Sequence, residues 1–481
     1  MTFTFFFLFF FLPLALIAYL VTPGRYRNLS LLLIGLIMYE WSEGKYVTVL
    51  AACAAVNYLL GLCLEQFNKQ KASAHDLGLL PLILSISVNL GILVFFKYVD
   101  FVASNLSEVI DLVGWLPIAP RVPIGLSFLT FRALSYVIDV YRGDVKAERS
   151  PTRFLTYVAL FPLMVAGPIV RYRDIADQLV GREVSVNKFA RGVRRFAIGL
   201  GKKVLVANTV ATIADQIFGL PSIELSVCVA WFGVIAYTLQ IYFDFSGYSD
   251  MAIGIGLMLG FEFPENFNYP YVSKSVREFW KRWHITLSSW FRDYLYIPLG
   301  GNKVGEYRNY LNLAIVFVLC GLWHGANWTF ICWGLWHGIF LIMERTRFGK
   351  FLGLIGPPSK HIYTLLVVIV GWVFFRSENV SQALGYLMAM LGFAPHGTGS
   401  VTEYLDVKVA VILIVGIIGS TPVAQTVSKI QARYKLARSG VAGITGPLIM
   451  GLDVAYIFLI MGLSIVSLSG TTYNPFIYGK F

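Results

Sequence analysis

Apolar runs recur along the chain near 3–21, 29–42, 46–63, 79–97, 122–140, 153–170, 196–216, 226–243, 250–260, 310–323, 327–343, 361–376, 407–424 and 446–468. Most approach the roughly 20 residues that a helix needs to cross a ~30 Å hydrocarbon core. The pattern therefore predicts an all-α polytopic membrane protein. The first run, MTFTFFFLFFFLPLALIAYLV, has no basic n-region and no small-residue cleavage site, and reads as a retained first span. Arg25 and Arg27 follow it at once, which predicts an N-terminus outside and a cytoplasmic first loop.

Two runs break this rhythm. The run 153–170 lies between basic segments, 141–153 and 171–203, and its FPLMVAGPIV stretch carries Pro162, Gly167 and Pro168. A straight crossing would leave one basic segment outside, and the prolines interrupt any straight helix. The sequence therefore predicts a re-entrant segment that enters from the cytoplasmic side and returns, its backbone buried in protein. The short run 250–260 reads the same way, leaving about eleven spans. Segments 344–360 and 425–445 read as interhelical loops. No linker marks a domain boundary, so 1–481 reads as a single membrane domain: N-terminal spans over 1–120, a core over 121–345 and C-terminal spans over 346–481.

Composition narrows the function classes. Charged residues are 14% and hydrophobic residues 57%, against about 25% charged in a soluble domain, which excludes a soluble enzyme. The excess of Lys plus Arg over Asp plus Glu, 39 against 27, fits cytoplasmic loops, and no nucleic-acid-binding motif accompanies it. Cys53, Cys63, Cys228, Cys320 and Cys332 are scattered, mostly in apolar runs, without CxxC or zinc spacing. They read as packing residues, and no metal is expected.

Between the runs ending near 260 and starting at 310 lies FEFPENFNYPYVSKSVREFWKRWHITLSSWFRDYLYIPLGGNKVGEYRNY, too polar to span and rich in aromatics. On a 3.6-residue period Trp280, Trp283, Leu287 and Phe291 share a face, with Arg277, Lys281 and Ser288 beside them. This predicts a basic amphipathic helix, at the interface or folded back into the protein. His284 lies at the edge of that face, either an interfacial histidine of an aromatic belt or a site residue. In QIYFDFSGYSDMAIG, residues 240–254, Asp244, Tyr248 and Asp250 are held at membrane depth. Such carboxylates mark functional sites, or else pair with a nearby cation or a helix N-terminus.

The pentapeptide GLWHG occurs twice in GLWHGANWTFICWGLWHG, residues 321–338, thirteen residues apart. In one continuous helix His337 would be rotated about 220° from His324. A break at Gly325-Ala326-Asn327 would allow the two to meet, but no further ligands stand at zinc spacing. Two equivalent bases would be redundant in acyl transfer. A third reading makes His324 a base beside a turn that opens backbone amides toward a substrate. His337 is then structural, its ring hydrogen-bonded within the bundle, with Gly334 and Gly338 permitting close packing.

WKRWHITLSSWFRDYLYIPLGG and GLWHGANWTFICWGLWHG together resemble the membrane-bound O-acyltransferase (MBOAT) family. YFDFSGYSDMAIGIGLMLGF, ENFNYPY and AGPIVRYRD are most similar to its bacterial alginate O-acetyltransferase branch, whose relatives acetylate cellulose and D-alanylate teichoic acid. The resemblance covers nearly the whole chain and is strongest from about 120 to 343. It implies a helical bundle around a central tunnel, with re-entrant and interfacial helices, in a bacterial inner membrane. His324 is the implied catalytic residue and His284 an implied active-site partner. No catalytic role is implied for His337.

The implied reaction moves an acetyl group from a cytoplasmic thioester, acetyl-CoA, toward an exopolysaccharide such as alginate, directly or through extracytoplasmic polysaccharide-acetylation proteins. Arg277, Lys281 and Arg282 would attract CoA phosphates or anchor to membrane lipids. Trp280, Trp283, Asn327, Asp244, Tyr248 and Asp250 would line the donor path, and backbone amides or a hydroxyl near the Gly325 to Asn327 turn would stabilise the oxyanion. Acetylation of cellulose and D-alanylation of teichoic acid are alternatives on the same fold. An acyl or lipid channel is the alternative of a different class, although no internal symmetry beyond the pentapeptide supports it.

Overall fold

Among the described residues, six helical segments are long and apolar enough to cross a membrane: Gly24–Phe67, Gly78–Lys97, Val186–Phe218, Val227–Met258, Pro357–Arg376 and Gly451–Ser469. The computed structural model in which they occur describes residues 5–69, 75–106, 121–394, 397–423, 425–427, 442–470, 473–475 and 477. Every regular element among the described residues is helical. The chain is thus a multi-pass, all-α membrane protein, as its apolar pattern predicts. Among the described residues, shorter apolar helices are Phe7–Val21, Trp328–Met343, Val380–Met390 and Val407–Gly419; the first two and the last coincide with predicted runs, while Val380–Met390 does not. At 11–16 residues they extend only ~17–24 Å, short of an unaided crossing.

The chain divides into two compact units. The first comprises Met1–Val193, Ala252–Pro264 and Ser289–Leu295. Within it helix α1 (Arg27–Glu43) turns at Gly44, where φ is +58°, into α2 (Val47–Lys69), which packs on α3 (His75–Lys97). Apolar side chains give two helices in lipid little reason to associate, and here a buried polar cluster does so. Asn89 Nδ2 and Ser85 Oγ both donate to Asn57 Oδ1 at 2.8 Å.

The run expected to re-enter is broken as its prolines predict. Helix α4 (Pro151–Val158), capped by the Ser150 side chain, extends only ~12 Å. A 3₁₀ turn at Phe161–Leu163 and irregular backbone follow, and every residue from 156 to 172 is buried. The freed carbonyls find donors inside the protein. The Arg132 guanidinium donates to Tyr157 O and Val158 O, and the Tyr157 hydroxyl donates to Val170 O.

The second unit comprises Arg194–Met251, Glu265–Ser288 and Tyr296–Phe481. One expectation is corrected here: 250–260 is no separate re-entrant piece. Most of it is the end of a single 32-residue helix, α5 (Val227–Met258). The polar stretch around Asp244 stays helical because its charges are paired. Asp244 meets Lys203 at 2.7 Å, and Asp250 meets Arg195 at 2.6 Å and Lys202 at 2.7 Å. Gly247 lies against Gly199, where a Cβ on either would come within 2.8 Å of the other's carbonyl oxygen.

The predicted amphipathic helix is also two pieces, α6 (Val276–Arg282) and α7 (Ile285–Phe291). Its aromatic face is buried, so it is folded back into the protein. The repeat follows as a hairpin of α8 (Glu306–His324) and α9 (Trp328–Met343), and α10 (Pro357–Arg376) packs on α9. The stretch 344–360, expected as a loop, contains a short helix, Arg347–Leu354, N-capped by Thr346. Most of 425–445 lies outside the described residues.

Candidate active site

The Gly325–Asn327 break turns the repeat into an antiparallel pair. Asn327 is the N-cap of α9: its Oδ1 accepts from Thr329 N at 3.0 Å and its Nδ2 donates to Glu378 O at 2.7 Å. The Asn327 side chain, read from the sequence as part of the donor path, is thus occupied in starting the helix. Gly321 and Gly334 face each other across the hairpin, where a Cβ on Gly321 would run into the Phe330 carbonyl and one on Gly334 into the Phe317 carbonyl. This contact sets the depth at which His324, the last residue of α8, is held.

His284 is placed by a second break. The α6 N-terminus is held by Glu344, whose carboxylate accepts from Val276 N at 2.6 Å and Arg277 N at 3.0 Å. The helix then stops because the upstream segment hydrogen-bonds to its end. Asn268 N donates to Arg282 O at 2.9 Å, and Ile285 N donates to Asn266 O at 3.0 Å. Between these ties His284 adopts φ +41°, which is uncommon for a side-chain-bearing residue. Strain of this kind costs on the order of 1–3 kcal/mol and persists only where surrounding contacts enforce it.

Three histidines are strung through the second unit by aromatic rings. His284 packs edge-on to Phe245 at 4.7 Å and to Trp323 at 6.1 Å. His324 packs on Trp323 at 4.9 Å, Trp333 at 5.0 Å and Phe375 at 5.1 Å. His337 packs on Trp333 at 5.3 Å, Trp280 at 5.1 Å and Phe279 at 6.3 Å. All three rings are buried. His324 and His337 therefore share Trp333, which the 220° separation of a continuous helix does not allow. The hydrogen bond expected for His337 is not found. Neither of its ring nitrogens bonds to a described residue, and aromatic packing alone holds the ring, with Gly371 leaving it room.

The other sequence-selected residues divide by environment. Trp280 and Trp283 join the aromatic cluster, Trp283 at 4.9 Å from Trp372. Arg277 and Lys281 are exposed on α6, while Arg282 pairs with Glu278 at 2.9 Å. Asp244 and Asp250 are engaged in the ion pairs of α5, and Tyr248 is buried between them along the chain. No group of three His, Cys, Asp or Glu side chains among the described residues is placed to hold a metal. Sequence reasoning overlooked Asn266, Thr286, Trp323 and Phe375. Of these, Asn266 had a signal, as the amide of ENFNYPY in an aromatic setting.

Burial pushes the His284 imidazole down to about pKa 3, so the ring is neutral at physiological pH. The ring in an unfolded chain binds a proton below about pH 6.5, and the folded one does not until far lower. Between these limits the unfolded state holds more protons, so stability falls as pH falls, by at most about 1.4 kcal/mol per pH unit from this group. Unfolding midpoints of the detergent-solubilised protein should drop on acidification from pH 6.5 toward 4, and His284→Asn should flatten that slope. An unchanged slope would show that His284 is not buried neutral.

Buried imidazoles in a multi-pass helical bundle place candidate proton acceptors away from bulk water. The model of the MBOAT, membrane-bound O-acyltransferase, family matches residues 145–377, a span that includes all three histidines. The chain is 40% identical to the probable alginate O-acetylase of Azotobacter vinelandii over 99% of both chains. It is 44% identical to that of Pseudomonas aeruginosa over 82% of this chain and 75% of the relative. It is 36% identical to the peptidoglycan O-acetyltransferase of Helicobacter pylori over 80% and 79% respectively. The chain belongs to the membrane-bound O-acyltransferase family and is an O-acyltransferase.

Proposed function

We propose that this protein transfers an acetyl group from acetyl-CoA toward an exopolysaccharide of the alginate class, directly or through extracytoplasmic acetylation proteins, in a bacterial inner membrane. The near-full-length likeness to alginate O-acetylases carries this reading. His324 takes the proton of the acceptor hydroxyl while its oxygen attacks the thioester carbonyl. The C–S bond then breaks and the thiolate leaves with that proton. Exposed Arg277 and Lys281 on α6 suit the donor's phosphates, with Trp280 and Trp283 behind them. His337 supports the cluster structurally.

The Helicobacter pylori relative favours a second reading, the same transfer toward a peptidoglycan hydroxyl. Deleting the gene in its source organism and measuring ester-linked acetate on each purified polymer separates the two. The expected result is at least a ~10-fold loss on the exopolysaccharide with peptidoglycan unchanged. The reverse result supports the second reading, and no change on either polymer overturns acetyl transfer.

A further inference from the structure

The Asn266 side chain is hydrogen-bonded at both ends of its amide. Its Nδ2 donates to Ser249 Oγ at 3.1 Å. Its Oδ1 accepts from Thr286 Oγ1 at 2.8 Å and from Thr286 N at 3.3 Å. A backbone N–H can only donate, so the amide atom facing Thr286 is the oxygen. The same oxygen lies 3.0 Å from His284 Nδ1. That nitrogen must therefore carry the proton, and in the neutral ring the lone pair falls to Nε2.

The arrangement is fixed from several sides. Asn266 is fully buried, its carbonyl accepts from Ile285 N, and the neighbouring Glu265 carboxylate is gripped by Arg195 at 2.9 and 2.6 Å. The ties that force His284 to φ +41° are thus the ties that aim its ring at the Asn266 amide. We infer that Asn266 is a positioning residue that holds His284 as the Nδ1–H tautomer, so that Nε2 enters acyl transfer as an acceptor. The inference deepens the proposed function and rests on it for the reaction, though not for the tautomer.

His284 then cannot donate from Nε2 to the thioester carbonyl or to its oxyanion. It acts there only as a hydrogen-bond acceptor, for a donor group held beside it, while His324 takes the proton of the reacting hydroxyl. Such orienting partners typically change activity by about 10–100-fold when removed, without touching substrate.

The tautomer is directly measurable. Full-length protein labelled with ¹⁵N-histidine in lipid bilayers should give a protonated-type Nδ1 and an unprotonated-type Nε2 signal, assigned to His284 by their loss in His284→Asn. A protonated Nε2 in the wild type overturns the inference. In Asn266→Ala the signals should move toward the other tautomer. Transfer from acetyl-CoA in membrane vesicles should fall about 10–100-fold, with KM for acetyl-CoA changed less than about 3-fold. Asn266→Asp keeps the acceptor oxygen and should restore both the Nδ1–H signal and part of the turnover. Wild-type turnover in Asn266→Ala overturns the inference. If His324→Ala keeps wild-type turnover, the proposed function fails, while the tautomer is decided by the spectrum alone.

Discussion

His324→Ala is expected to lower acyl transfer by at least about 10²-fold per folded molecule, the lower end of what a positioned general base supplies. A hydroxyl attacks a thioester poorly until its proton has somewhere to go, and His324 places a buried imidazole at the end of α8 as its acceptor. Alanine also leaves a hole among Trp323, Trp333 and Phe375, and comparable core truncations cost about 2–5 kcal/mol. His324→Gln, which fills more of that space but cannot serve as the base, separates chemistry from packing.

His337→Phe gives the opposite contrast. Because neither ring nitrogen of His337 bonds to a described residue and its neighbours are aromatic, a phenyl ring should keep the packing and most of the activity. Acetyl transfer, normalised to monodisperse protein, measures all three variants. Wild-type transfer in His324→Gln, or its loss in His337→Phe alone, would exchange the roles of the two histidines.

The parts of the fold legible in the sequence were those set by local chemistry. Pro162, Gly167 and Pro168 marked the broken segment, and Gly325 to Asn327 marked the place where the repeat folds back. The parts that were not legible depend on distant partners. Nothing local in RWHITLSSW interrupts a helix; the break at His284 is imposed by backbone ties from residues 266 and 268. The polar stretch around Asp244 reads as a helix end because its cations, Arg195, Lys202 and Lys203, lie more than 40 residues upstream. The site shows the same division. His324 and His284 were visible in their motifs, whereas Asn266 becomes significant only once its amide is seen against the imidazole.

Lys203→Met and Asp244→Asn, made singly, should each destabilise the protein by about 3–5 kcal/mol, the range for leaving one partner of a buried ion pair unneutralised. The two side chains are 5% and 2% exposed and lie 2.7 Å apart. Asp244 Oδ2 also accepts from Ile477 N at 2.8 Å, and Lys203 donates to Pro475 O, so the pair holds the C-terminal segment against α5. Asparagine preserves an acceptor for Ile477 while removing the charge. The double variant buries no unpaired charge, and should regain most of the lost stability and retain acyl transfer.

Unfolding midpoints and transfer, measured together, separate two roles for Asp244. An anchor of the C-terminal segment predicts a double variant that is stable and active. A carboxylate that lines the donor path predicts one that is stable but inactive. If the double variant is no more stable than the singles, the pair is not the unit that holds the segment, and the loss must come from bonds that each side chain makes separately.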